Sequence, residues 1–138
     1  ELIINSEIKA PIARVFEAWT KPEQLKQWFA PDDEMTVPRS EVDLRVGGEY
    51  LIHLHDPKKG EDHIVSGTYE EIVLNEKIVF NWMWKDGVDR TQVTVEFAAR
   101  GDNETLLTLT HRGFSQTEFR DHHDQGWNAC LGQLKKML

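Results

Sequence analysis

The feature that most constrains this chain is a change of hydrophobic period. From Met35 to Phe114 apolar and polar residues alternate between regularly spaced turn signals; beyond Phe114 the apolar residues recur at helical spacing. A period of two sends successive side chains to opposite faces of a strand, whereas steps of three and four keep them on one face of a helix. The central segment therefore reads as an antiparallel meander. The C-terminal segment reads as one amphipathic helix with Phe119, His123, Trp127, Leu131, Leu134 and Leu138 along a single face.

Turn residues divide the meander. Val42 to Val46 runs into Gly47-Gly48, a pair that tolerates a tight hairpin turn, and Glu49 to His55 returns. After the polar loop Asp56 to Asp62 come His63 to Leu74, Lys77 to Trp84, Thr91 to Ala99 and Thr105 to Arg112. Ahead of the meander, Leu2 to Ile8 has the branched residues of a strand. Pro11 suits the first position of a helix whose buried stripe is Ile12, Val15, Phe16 and Trp19. Thr20 and Glu23 have capping-box spacing, which opens a second short helix with Leu25, Trp28 and Phe29 on its apolar face, stopped by Pro31. Ser115 to Glu118 repeats that spacing before the last helix, and Gly126 within that helix suggests close packing or a bend. The order implies a single α+β domain over residues 1–138: a curved antiparallel sheet of about seven strands with the last helix on its concave face.

Composition narrows the function. A chain of 138 residues buries enough surface to need no disulfide, and with Cys130 alone it forms none internally. Its 16 basic against 24 acidic residues give a net charge of −8, which argues against nucleic acid as a partner. No apolar run approaches the ~20 residues that span a bilayer, and no secretory-type leader opens the chain, so the expectation is a soluble, cytoplasmic protein without a membrane partner. The short acidic clusters Asp32 to Glu34, Asp86 to Asp89 and Asp121 to Asp124 read as solvated surface.

The interior is where chemistry would reside. Strand parity turns Ile78, Phe80, Trp82 and Trp84 to one side, and likewise Tyr50, Ile52 and Leu54, then Val93, Val95 and Phe97, then Leu107, Leu109 and His111. Rings from several strands and the last helix thus converge. Alternation alone fits a solid core as well as a lined cavity. The polar groups available there are Tyr50, the indole N–H of Trp82 or Trp84, His111 and His123; either imidazole could orient a ligand or act as acid or base. No Ser-His-Asp or Cys-His spacing offers a covalent nucleophile, and Cys130 reads as a packed, inert thiol. Asp43 and Arg45, two apart, share a strand face, where their charges pair with each other or with the neighbouring strand. His53 and His55 share a face, with His63 expected opposite His55 and Asp56 nearby, but the outer, solvated setting gives no metal site; His122 and His123, adjacent on a helix, do not chelate. No cofactor is implied.

The order of these segments, with Trp28-Phe29-Ala30-Pro31, Val42 to Tyr50, Gly67 to Ile72, Glu76 to Trp82, Thr108 to His111 with Phe114, and His123 to Trp127 followed by Leu131 and Leu134, resembles the activator-of-heat-shock-protein-90-ATPase homologue-like family of the SRPBCC, or START-like, superfamily. The resemblance implies a helix-grip fold, with a cavity between the sheet and the C-terminal helix. It favours binding of a small hydrophobic or aromatic molecule by Tyr50, Ile52, Phe80, Trp82, Trp84, Phe97, His111, Phe119, His123 and Trp127. Two other readings stand beside it: an enzyme of cyclase, dehydratase or hydrolase type using His111 or His123, and a protein-interaction module contacting a chaperone or a second copy of itself.

Overall fold

The computed structural model describes residues 1–138. The chain runs β1 (Leu2–Ile8), α1 (Ile12–Thr20), α2 (Pro22–Trp28), β2 (Thr36–Val42), β3 (Glu49–Asp56), β4 (Glu61–Val73), β5 (Lys77–Trp84), β6 (Thr91–Ala99), β7 (Thr105–Arg112) and α3 (Thr117–Met137). The strands form one antiparallel seven-stranded sheet in the order β1-β7-β6-β5-β4-β3-β2. Consecutive strands from β2 to β7 are neighbours, as short connections dictate. The two short helices carry the chain from β1, at one edge, to β2 at the other. This is the α+β helix-grip arrangement, with the helices on the concave face of the sheet. No helix is long and apolar enough to cross a membrane.

Strand parity holds in β1, β3 and β7, and the apolar residues expected inward on β5 and β6 are buried or half-buried. Every second residue of β1 and β7 is buried, and Val65, Ile78, Val93, Val95, Leu107 and Leu109 are at most 1% exposed. The stripe of α3 also lies inward: Trp127, Leu131 and Leu134 are buried and His123 is half-buried. Four local expectations are corrected. The strand that opens the meander is Thr36–Val42, not Val42 to Val46; the alternation there is poor, and Pro38, which lacks an N–H, is tolerated because β2 is an edge strand. Asp43 to Gly48 form a loop that docks on β4, where the Gly47 N–H donates to the Tyr69 carbonyl and the Tyr69 N–H to that of Gly48. Neither capping box forms: the Thr20 hydroxyl donates back to the Phe16 carbonyl within α1, Pro22 starts α2, and Gln116 precedes α3 without a side-chain cap. Gly126 does not mark close packing, because a Cβ there would meet nothing within 4 Å.

Gly67 is different. It stands opposite Tyr50 in the β3–β4 register, and a Cβ on it would lie 2.0 Å from the Asn81 carbonyl oxygen on β5. The missing side chain lets the Tyr50 hydroxyl reach across β4 and donate to that same carbonyl at 2.7 Å. The Asn81 side chain closes the junction, accepting from the Thr68 N–H and donating to the Thr68 hydroxyl.

The two glycines predict opposite outcomes for one substitution. Gly67→Ala drives a methyl into a backbone oxygen and should destabilise by about 3 kcal/mol, the upper range for overpacking. Gly126→Ala places a better helix former in open space and should stabilise by about 1 kcal/mol. Urea unfolding midpoints of the two variants check both signs.

Candidate functional site

Trp82, on β5, is the centre of the interior. Its ring centroid lies 5.0 Å from Trp127 on α3, 5.4 Å from Trp84, 5.6 Å from His111 on β7, 6.0 Å from Phe29 and 6.3 Å from His123. Tyr50 and Phe80 belong to a neighbouring group with Tyr69, at centroid distances of 5.3 to 6.1 Å. Phe97 stands apart from both, edge-on to Phe16 of α1 at 5.3 Å. Phe119 is half-buried at the start of α3 and contributes its carbonyl. The structure thus divides the inward residues into three aromatic groups within one core.

Hydrogen bonding fixes the state of both inward histidines. An indole N–H only donates, so the bond from Trp127 Nε1 to His111 Nδ1 at 3.0 Å makes Nδ1 an acceptor and leaves the proton on Nε2. That proton goes to the Thr91 hydroxyl at 2.6 Å, and the hydroxyl donates in turn to the Trp82 carbonyl at 3.2 Å. His123 has the opposite tautomer: Trp84 Nε1 donates to its Nε2 at 3.0 Å, and its Nδ1–H donates to the Phe119 carbonyl at 2.7 Å. Burial, aided by neighbouring His123, pulls His111 from 6.5 down to about 3. His123 is also lowered, chiefly by burial; the Phe119 carbonyl and Asp89 oppose the shift and His122 adds to it. Both imidazoles are neutral, and neither has a free lone pair for general-base work.

The walls touch one another. Between them remains a void of about 20 Å³, room for roughly one water, bordered by Trp19, Leu25, Phe29, Tyr50, Ile52, Tyr69, Ile78, Phe80 and Trp82. Trp19, Leu25, Phe29 and Tyr69 were absent from the sequence reading of the site. Their signal was the apolar stripe of the two short helices and the parity of β4, which a register shift between Tyr69 and Glu71 obscures. Trp19 Nε1 and Trp82 Nε1 are buried without any hydrogen-bond partner. A larger hollow of about 390 Å³ lies near the β4–β5 turn, bordered by the charged Glu76, Lys77 and Glu96 as well as Val73 and Leu106.

The remaining polar candidates have structural roles. On β3, His53 Nε2 and His55 Nδ1 lie 2.8 and 2.9 Å from the same Asp62 oxygen, and these hydrogen bonds lower the Asp62 pKa. His63 faces Leu54, not His55, because the register is offset by one residue from the expected one. Arg45 and Asp43 do pair, at 2.9 Å, but within the exposed loop after β2 and not on a strand. Burial pushes the Cys130 thiol up to about 12, which keeps it protonated.

The depressed imidazoles give stability a pH dependence. In the unfolded chain a histidine takes up a proton near pH 6.5; folded His111 does so only near 3. The unfolded state binds more protons in between, so this contribution is complete above pH 6.5 and is lost as pH falls, at up to ~1.4 kcal/mol per pH unit. His111→Gln should lower stability near neutral pH by about 2–4 kcal/mol through the broken network. Between about pH 6 and 4 the variant should lose stability less steeply than the parent, by ~1.4 kcal/mol per unit. Urea unfolding across that range measures the difference, and parallel slopes would contradict the assigned protonation state.

The family model described as Activator of Hsp90 ATPase homolog 1-like protein matches residues 9–138. Among solved structures, the Silicibacter pomeroyi AHSA1 protein superposes with a TM-score of 0.86 at 23% identity, covering 99% of this chain and 95% of that one. A Rhizobium leguminosarum protein gives 0.80 at 30% identity, covering 97% and 90%. DynU16, from the dynemicin biosynthetic locus, gives 0.78 at 18% identity, with 98% of this chain but 45% of that chain covered. No curated protein sequence matches. With the family model spanning nearly the whole chain and the seven-stranded sheet closed over its last helix, the chain belongs to the Activator of Hsp90 ATPase homolog 1-like family, within the SRPBCC superfamily.

Proposed function

We propose that the protein binds a small hydrophobic, ring-containing molecule in the interior between the sheet and α3, with Trp82, Phe80, Trp127, Trp19 and Phe29 as its walls. The observation that carries this reading is the interior void: every side chain bordering it is aromatic or aliphatic, and they come from β3, β4, β5, α1 and the α2 segment. Ligand pockets combine such walls with a few polar groups. At about 20 Å³ the void does not hold a ring, so a ligand enters by displacing side chains. Trp84, Phe114, Phe119 and His123 form the half-buried margin of the aromatic interior.

Binding is favoured over catalysis because both inward imidazoles have their nitrogens engaged in intramolecular bonds. Affinity is bounded by ligand size. A bicyclic molecule of ~11 heavy atoms at ~0.5 kcal/mol per atom reaches a Kd of ~100 μM, and opening the interior weakens that further.

A panel of monocyclic to tricyclic compounds, titrated to about millimolar concentration against tryptophan fluorescence, tests this reading. Members that bind should quench or shift the emission saturably. They should also raise the melting temperature, because a ligand held only by the native state stabilises it. A panel with neither response refutes interior binding.

A further inference from the structure

The five tryptophans are not equivalent in hydrogen bonding. Trp28 Nε1 donates to the Ala18 carbonyl at 2.8 Å, Trp84 Nε1 to His123 and Trp127 Nε1 to His111. Trp19 Nε1 and Trp82 Nε1 have no acceptor, although these residues are only 3% and 4% exposed. Both border the interior void, Trp19 from α1 and Trp82 from β5, and both pack on Trp127, at 5.9 and 5.0 Å. A buried N–H without an acceptor is costly, and a phenylalanine would offer a ring at either position without that cost.

The surroundings restrict what can satisfy these donors. No carboxylate, amide or imidazole borders the void; the oxygens on its lining side chains are the Tyr50 hydroxyl, which donates to the Asn81 carbonyl, and the Tyr69 hydroxyl. The acceptor nitrogens of His111 and His123 are taken by Trp127 and Trp84. The lining side chains thus carry two unpartnered donors and, apart from the two phenol oxygens, no acceptor. A water or an alcohol would satisfy an indole but bring a hydrogen of its own, for which the phenol oxygens of Tyr50 and Tyr69 are the only side-chain acceptors among the lining residues. An anion would have to leave water for an apolar site without a cationic partner. An oxygen with lone pairs and no hydrogen, attached to an apolar ring, meets neither objection.

We propose that the interior ligand is a ring compound bearing a carbonyl oxygen, of the cyclic ketone or quinone class, and that the Trp19 and Trp82 indole N–H groups are the donors that select it. This rests on the interior-binding reading above and adds the chemistry of recognition to it. Trp19 and Trp82 are thus specificity residues as well as walls. The competing account is that each N–H is held by a facing ring: Trp19 meets Trp28 at 4.8 Å and 63°, and Trp82 meets Trp84 at 5.4 Å and 90°. On that account a carbonyl confers no preference.

Tetralone and tetralin, which share a bicyclic skeleton and differ by one carbonyl, separate the two accounts when titrated into the full chain carrying ¹⁵N-labelled indoles. Tetralone is expected to bind about tenfold or more tighter, the order of one buried donor gaining an acceptor. It should shift the Trp19 and Trp82 indole resonances more than those of Trp28, Trp84 and Trp127. Trp82→Phe and Trp19→Phe should each narrow the tetralone-to-tetralin ratio to within about threefold while tetralin still binds. The ratio is read because both variants also change cavity volume; should one fail to fold, the other and the parent resonances still decide. Equal binding of the two compounds, or tetralone binding that leaves both resonances in place, overturns the carbonyl assignment and leaves interior binding intact. Binding of neither compound, together with a silent broad panel, overturns both.

Discussion

The rest of the structure depends on the imidazole of His111. It is fully buried and neutral, and its two nitrogens join α3, β7 and β6 through Trp127 and Thr91, with the Thr91 hydroxyl extending the chain to the backbone of β5. Apolar burial alone would hold the last helix on the sheet but would leave its rotation and slide loosely defined, since hydrophobic contact has no direction. The bond from Trp127 to His111 supplies that direction. It points one indole of α3 into the sheet, and Cys130, Leu131 and Leu134 then fall on the buried face at helical spacing. Protonating His111 would replace the acceptor at Nδ1 with an N–H facing an indole that can only donate, so the network and the neutral charge state require each other.

On the other side of the interior, the Gly67 notch sets how Tyr50 lies across the sheet, and Tyr50 in turn packs edge-on to Phe80 at 5.3 Å. The two anchors are independent: one fixes α3 against β5 to β7, the other fixes β3 against β4 and β5. The short helices fill the space left between them. The void lies at that three-way junction, where Trp19 and Phe29 from the helical side meet Tyr50, Phe80 and Trp82 from the sheet. Rigid rings do not tile such a junction completely, which explains a gap there and not in the aliphatic layer of Val93, Val95, Leu107 and Leu109.

The sheet was legible in the sequence because its inward faces obey strict alternation, as in β7, where Thr105, Leu107, Leu109 and His111 are buried in turn. The last helix was legible for the same reason at a different period. The edge strand β2 was not, because with one residue of seven buried it carries little alternation, unlike β1 at the other edge. Capping boxes misled because the residue types they require are engaged elsewhere: the Thr20 hydroxyl donates to the Phe16 carbonyl within α1, and the Ser115 N–H donates to Asp89. The histidine and tryptophan positions were readable, but their pairing was not. Which indole meets which imidazole depends on contacts between elements far apart in sequence, such as Trp84 with His123, and no local pattern encodes them.

The anchors also decide where the interior can yield. Moving α3 away from the sheet breaks the Trp127 to His111 bond and exposes a buried imidazole, two penalties that add. Displacing the side chains of Leu25 and Phe29 breaks no hydrogen bond, because these residues meet the void through apolar atoms only. Their support is α2, a helix of seven residues tied to α1 through the Trp28 indole and the Ala18 carbonyl. A helix of that length has little stability of its own and depends on tertiary packing. Expansion of the void on the side of α2 therefore costs less than expansion on the side of α3. Such a direction leaves the Trp82 wall in place while the helical wall shifts, so the rigid face of the site belongs to the sheet and the adaptable face to the segment from Leu25 to Phe29.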